Sequence, residues 1–272
     1  MCCNPLVSVV MGTRYLRTDL VCLERAVQSI LTQTCCNFEF LICDNGSTSE
    51  AVAFLNDTCK RDGRVRLIRR QGCLDLASKL NLCLGAARGK YIARMDDDDY
   101  SHRDRLEKQI DFLETESRTA FVGCNVALIQ SGRSIAAKRF PPSPKVEDFY
   151  LTQPYIHPTL MFRKEALSCV GGYSESRYCL LCEDYDLLLR LYQAGFTGAN
   201  LQEILFDYTI PTTGKGNRKM KHRFNEVWIR YCRFKDLGRL PEALPYVLKP
   251  VVVGMLPEPL LTQLKRKRWE GV

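Results

Sequence analysis

Four consecutive carboxylates, Asp96-Asp97-Asp98-Asp99, follow directly on a short strand-like run, Tyr91-Ile92-Ala93-Arg94-Met95. Like charges this close repel, and the repulsion is relieved when a positive charge enters the group. Carboxylate oxygens suit hard cations, and Mg2+ or Mn2+ usually keeps several waters and shares its shell with phosphates. One or two acids at a strand end are then enough to hold such an ion against a diphosphate. The competing reading is a solvated acidic turn in which Asp99 or Ser101 caps a helix beginning near Arg103. The position directly after a buried strand favours the cation. A second acidic pair, Glu183-Asp184, opens a helical pattern. Acids are favoured there by the helix dipole and the free amides, so a structural role stands beside a chemical one. The chemical one is a base on the far side of a carbon whose leaving group is a diphosphate.

The elements that position these acids alternate. Residues 6–11 are a continuous apolar run ending at Gly12-Thr13, which reads as a buried strand and a turn. Leu20, Leu23, Val27, Ile30 and Leu31 recur at helical spacing. Residues 38–43 form a second strand, closed by the turn-rich "DNGSTS" that begins at Asp44. A helix over 51–59 follows, with Thr48 or Ser49 able to cap it. A third strand (65–69), a third helix (74–87) and a fourth strand (91–95) complete the series. Strand and helix in strict alternation predict an α/β fold with an open, mainly parallel sheet flanked by helices. Ligands of such sheets bind beyond the carboxyl ends of the strands, so Thr13, Asp44 and Asp96 are expected to meet at one edge.

The second half is more mixed. A helix over 103–116, a strand over 120–130, a proline-marked loop at Pro141, Pro142 and Pro144, and a short helical stretch over 146–151 are expected. A strand over 157–162 would carry His157. Over 182–195, Leu187, Leu188 and Leu191 form the apolar stripe of a helix that stops at Gly195.

No run of eighteen apolar residues is present, and Met1-Cys2-Cys3-Asn4-Pro5 lacks the regions of a signal peptide, so a cytoplasmic location is expected. The 14 cysteines then read as reduced packing residues rather than a disulfide framework. Cys179 and Cys182 form a C-x-x-C without a second pair at zinc-finger spacing. Residues 1–214 nearly balance 25 Lys/Arg against 26 Asp/Glu, whereas residues 215–272 hold 14 against 5. That division separates a domain over 1–214 from a basic helical C-terminal extension over 215–272. An anionic surface is its expected partner. Prolines and apolar stretches over 241–264, followed by Lys265-Arg266-Lys267-Arg268-Trp269, suit peripheral contact with an anionic membrane.

Eight stretches carry a resemblance: "VSVVMGTRY" (7–15), "AVQSILTQT" (26–34), "FEFLICDNGST" (38–48), "GKYIARMDDDD" (89–99), "RLEKQIDFL" (105–113), "IHPTLMFRKEAL" (156–167), "VGGYSE" (170–175) and "EDYDLLLRLYQAG" (183–195). In this order and spacing the chain resembles family 2 glycosyltransferases of the GT-A fold, in particular the bacterial enzymes that assemble capsule, exopolysaccharide and O-antigen repeats. The resemblance implies inverting transfer from a nucleotide-sugar, usually a UDP-sugar, to a hydroxyl of a glycan or a polyprenyl-diphosphate-linked acceptor, with Mn2+ or Mg2+ as cofactor. It implies that Thr13 borders the nucleotide and that Asp44 hydrogen-bonds the base. Asp96 and Asp98 would be the acids of the D-x-D, with Asp97 beside them at the donor, Asp96 facing the ribose and Asp98 reaching the metal. Asp184 would be the catalytic base and Glu183 its neighbour in positioning; His157 would lie on the acceptor side. Such an enzyme works on the inner face of the cell membrane.

The pattern departs from the family at Gly12-Thr13-Arg14, where Pro-Thr-Tyr is usual, and at Asp97, where alanine is usual. The added charge leaves open which carboxylate meets the metal, and His222 is a weak further candidate ligand. A phosphatase-type D-x-D fits less well, because Tyr100 stands where Thr or Val is common and the first strand lacks the motif. A sugar-nucleotidyltransferase would share the sheet and the acids, but its glycine-rich loop after the first strand is echoed only by "MGTRY". A nucleic-acid binder would account for the basic extension, yet it leaves both acid groups without purpose. No helix-turn-helix or zinc pattern supports it, and nucleic acid is not expected as a partner.

Overall fold

The computed structural model describes residues 4–70, 72, 74–210 and 219–256. The apolar run at the start becomes β1 (Val7–Thr13), every residue of it buried, as a central parallel strand requires. After α1 (Val21–Leu31), the second apolar run forms β2 (Phe38–Asp44), in parallel register from Val7 opposite Phe38 to Thr13 opposite Asp44. The Thr48 hydroxyl caps α2 (Ser49–Arg61) by accepting the Ala51 N–H at 3.3 Å. Next come β3 (Val65–Arg69), α3 (Leu76–Ala86), capped by Asp75, and β4 (Tyr91–Arg94). The backbone entering β4 passes so close to β1 that a Cβ on Gly89 would lie 2.5 Å from the Ser8 nitrogen, which only glycine avoids.

Beyond β4 lie β5 (Tyr100–Ser101), α4 (Arg105–Thr115), β6 (Thr119–Gln130), β7 (Arg133–Lys138), β8 (Met161–Arg163), α5 (Lys164–Cys169), α6 (Glu183–Gln193) and β9 (Thr197–Thr209). Three helices follow: α7 (Met220–Asp236), α8 (Leu240–Val247) and α9 (Lys249–Met255). The strands form one sheet in the order β3-β2-β1-β4-β8-β6-β9-β5, with β7 on β6. The first four are parallel, as the alternation predicts. From β8 onward the sheet is mixed: β8 runs antiparallel to β4 and β6, and β9 parallel to β6.

The pleat of β1 sends Val7, Val9 and Met11 into one apolar cluster with Leu23, Val27 and Leu106. Val10 faces the other, which joins Leu80, Phe121, Phe162 and Leu188 to Ile229, Phe234, Ala243 and Val247 of α7 and α8. Asp186 ties α6 to α7, accepting from Arg190 Nε at 2.7 Å and from Arg233 Nε at 2.8 Å. Gly195, at φ +85°, ends α6 as expected.

Two expectations are corrected. Residues 157–162 are not one strand: His157–Thr159 is a 3-10 turn, and only Met161–Arg163 pairs in the sheet. Pro158 has no N–H to give a ladder, which ends the strand there. The helical stretch expected over 146–151 is a single 3-10 turn, Val146–Phe149. The long β9 is a strand for which the sequence set no expectation, and register shifts interrupt its pairing with β6. Residues 215–218 and 257–272 lie outside the described residues, and with them the Lys265-Arg266-Lys267-Arg268-Trp269 run.

Candidate active site

Because β1, β2 and β4 are parallel, their carboxyl ends share one edge, and the predicted donor-side residues gather there. Thr13 and Asp44 close their strands side by side, both almost wholly buried. The Thr13 hydroxyl donates to Asp97. Asp44 accepts the Ser47 N–H at 3.3 Å through Oδ1, while Oδ2 has only the Arg69 guanidinium at 3.5 Å and no hydrogen-bond donor. Lys79, on α3, is buried beneath the edge and donates from Nζ to the Thr13 carbonyl at 3.2 Å. Burial pushes its pKa down.

The quartet past β4 splits into four environments. Asp96 accepts from Arg94, a fully buried guanidinium whose Nε finds no partner. Asp97 is held by Thr13, and burial raises its pKa. Asp98 faces outward, with Arg17 at 3.8 Å. Burial and the charges of Asp96 and Asp97 push its pKa up to about 6. Asp99 is buried; Oδ1 accepts the Thr209 N–H at 2.7 Å, Oδ2 has no partner, and burial drives its pKa well above the carboxylate range.

This edge fits a hard divalent cation. It offers an open carboxylate at Asp98, a second at Asp96 and an excess of negative charge that the local arginines leave uncompensated. Among the described residues no cage of three or more His, Cys, Asp or Glu side chains exists. His222, in the first turn of α7, makes no hydrogen bond or ion pair to the quartet among the described residues, and its Nδ1 is buried without a partner.

Glu183 and Asp184 occupy the first turn of α6. Asp184 accepts the Tyr185 N–H at 2.8 Å and, through Oδ2, the Gln153 amide at 3.0 Å. Two phenols connect this pair to the quartet. Tyr208 lies in the field of Asp99, Asp96, Asp184 and Asp98 together. Tyr173 senses Arg94, Asp184, Glu183 and Asp96. Burial and these carboxylates raise both phenol pKa values. The charges of both acid groups therefore reach the same two phenols. His157 is buried, its Nε2 2.7 Å from the Tyr173 hydroxyl. Burial and the nearby Arg94 lower its pKa to about 3, so the ring is neutral.

The sequence pattern described as Glycosyl transferase family 2 matches residues 15–171, more than half of the chain. The chain belongs to glycosyltransferase family 2. This glycosyltransferase is 30% identical over 266 residues to EpsE of Bacillus subtilis (strain 168), named as a glycosyltransferase, covering 97% of this chain and 95% of that one. It is 25% identical over 232 residues to the UDP-Gal:alpha-D-GlcNAc-diphosphoundecaprenol beta-1,3-galactosyltransferase of Escherichia coli, covering 84% and 83%. Among solved structures, the mannosyltransferase PcManGT of Pyrobaculum calidifontis, in complex with GDP-Man and Mn2+, superposes with a TM-score of 0.63 at 16% identity, over 97% of this chain and 80% of that one. The fold of the glycosyltransferase is of the GT-A type.

Sequence reasoning missed Gln153, Tyr173 and Tyr208 in this glycosyltransferase. Gln153 sits in an irregular loop and Tyr208 late in β9, where no local pattern marks them; Tyr173 stands in the "VGGYSE" stretch, but its link to His157 and the acids is made only by long-range packing. Arg94 and Lys79 are both buried. Cys179 and Cys182 are buried thiols whose pKa burial raises.

Proposed function

We propose that this glycosyltransferase moves a sugar from a UDP-linked donor to a hydroxyl of a polyprenyl-diphosphate-linked glycan during surface polysaccharide assembly, with inversion. The observation that carries this reading is the gathering of Thr13, Asp44 and the quartet at the carboxyl edge of β1, β2 and β4, with Asp184 oriented separately by the Gln153 amide. The printed donor and lipid-linked acceptor of the Escherichia coli relative support the substrate classes.

In this proposal Thr13, Asp44, Asp96 and Asp97 line the nucleotide, with Asp44 directed to the uracil. Asp98 and Asp96 hold Mn2+ or Mg2+, which when bound supplies Lewis-acid neutralisation of the departing diphosphate. Asp184 takes the proton of the acceptor hydroxyl as that oxygen attacks the anomeric carbon from the face opposite the leaving group. The Gln153 amide and the Tyr185 N–H hold its carboxylate in place, and Glu183 orients the acceptor beside it. His157, neutral, acts on the acceptor side by fixing the Tyr173 hydroxyl. One displacement converts an α-linked donor into a β-linkage. Residues 1–214 carry this chemistry, and the basic residues 215–272, which include α7 to α9, keep the enzyme on the inner face of the membrane. No helix among the described residues is long and apolar enough to cross it.

The test is a panel of UDP- and GDP-sugars with Mn2+ or a chelator, scoring nucleotide release and transfer to a lipid-diphosphate-linked N-acetylhexosamine. Turnover of one or more UDP-sugars that requires the cation is expected. Turnover indifferent to chelation, or confined to GDP-sugars, rejects the corresponding assignment.

A further inference from the structure

The outward face of α7 has the polarity of an interior. Met220, Phe224, Trp228 and Tyr231 recur at helical spacing along it and are 40%, 58%, 52% and 37% exposed. The opposite face is already satisfied: Ile229 and Phe234 enter the apolar cluster, and Arg233 reaches Asp186. The outer rings are arranged against one another. Trp228 stacks on Tyr231 at 6.2 Å between centroids, and its ring lies 6.4 Å from that of Tyr178. Tyr178 belongs to the loop that leads into Glu183 and Asp184, in which Leu180 and Leu181 are also exposed. Leu181 holds φ +66°, a backbone conformation that a bulky residue rarely adopts, and it keeps this side chain outward.

Exposed apolar residues are normally scattered singly; a contiguous stripe marks a contact surface. The rim of this one is cationic, with Lys219, Lys221 and Lys235 all exposed. Tryptophan and tyrosine beside lysine is the composition of a segment lying at the headgroup level of a bilayer. The 14 basic against 5 acidic residues of 215–272 complement an anionic leaflet.

We propose that the α7 stripe, together with the Tyr178 loop, is the surface on which this glycosyltransferase docks an anionic lipid bilayer. The same loop ends at Glu183 and Asp184, so docking there brings this acidic pair towards the headgroups. In that respect the inference rests on the lipid-linked acceptor proposed above.

The chain has two tryptophans, Trp228 and Trp269, so Trp269→Phe leaves Trp228 as the single reporter. Titration of that variant with phosphatidylcholine–phosphatidylglycerol vesicles is expected to shift the emission to the blue, and brominated lipid is expected to quench it. Affinity for pure phosphatidylcholine vesicles is expected to be about 100-fold lower, the effect of three rim lysines. The combined variant Phe224→Ser, Trp228→Ser, Tyr231→Ser is expected to lose at least about tenfold in vesicle co-sedimentation while keeping its Tm and UDP binding. Vesicle binding without any change at Trp228 assigns docking to another segment and overturns the proposal. So does failure to bind vesicles, and so does self-association by light scattering that the triple serine variant abolishes, which assigns the stripe to a second copy of the chain. Transfer to a water-soluble acceptor analogue, measured without vesicles, reports the proposed function alone, and vesicle binding is read without catalysis, so either can fail separately.

Discussion

The aspartate quartet past β4 and the acidic pair opening α6 are both carboxylate groups whose charge reaches Tyr173 and Tyr208, yet their surroundings differ in kind. The quartet is crowded with like charge: Asp98 and Asp99 are each pushed up by burial and by their neighbours, and the nearest cations, Arg94 and Arg17, do not balance them. Asp184 instead receives neutral donors, the Gln153 amide and a backbone N–H. Among the described residues it has no ion pair. Two positions further along the same helix, Asp186 is wholly buried and held by two arginines. A carboxylate surrounded by like charge suits a metal ion, one oriented by neutral donors suits proton transfer, and one closed by arginines holds two helices together.

Each part of that contrast can be broken. Asp184→Asn removes the base while keeping the shape, and it is expected to lower transfer by roughly two to four orders of magnitude with donor binding retained. Near-normal turnover in that variant rules Asp184 out. Asp186→Ala removes the buried partner of two part-buried guanidinium groups that keep other acceptors, so a loss near the lower end of about 3–5 kcal/mol is expected by urea titration. A change under 1 kcal/mol would mean the α6–α7 clamp is incidental. Asp98→Ala is expected to weaken Mn2+-dependent UDP binding by at least about 10- to 100-fold, the cost of disturbing even the outer shell of a metal site. Calorimetry with wild-type affinity in this variant would move the ligand to another member of the quartet.

The smallest effect concerns His157. Its folded-state pKa, about 3, lies below the ordinary value of 6.5. The unfolded chain therefore binds the proton first as pH falls. The stability due to the neutral ring is fully present above about pH 6.5 and is lost towards about pH 3, at up to about 1.4 kcal/mol per pH unit. His157→Gln, which can still bond to Tyr173, is expected to flatten stability between pH 7 and pH 5, measured by denaturant titration. An unchanged slope would place the acid sensitivity elsewhere.

Legibility followed the range of the interactions. The first four strands and their helices were readable because parallel buried strands are uninterrupted apolar runs and because Thr48 marks its helix start locally. The strand ends then brought Thr13, Asp44 and the quartet together without further information. In the second half, Pro158 broke an apolar run into a turn and a short strand, and register shifts interrupt the pairing of β9 with β6. Gln153 and Tyr208 reach the site only across the tertiary fold, so nothing next to them in the chain announced their roles.

By itself the sequence determined the α/β class, the edge at which ligands enter and the two acid groups, because each follows from residue type and periodicity over a few positions. Only the tertiary structure decided which carboxylate is open, which is oriented and which is locked. Those states depend on burial and on partners such as Arg94, Gln153 and Arg233, which lie on other elements or take their burial from the whole fold. A charge is set by everything packed around it, and packing is not a local property of the chain.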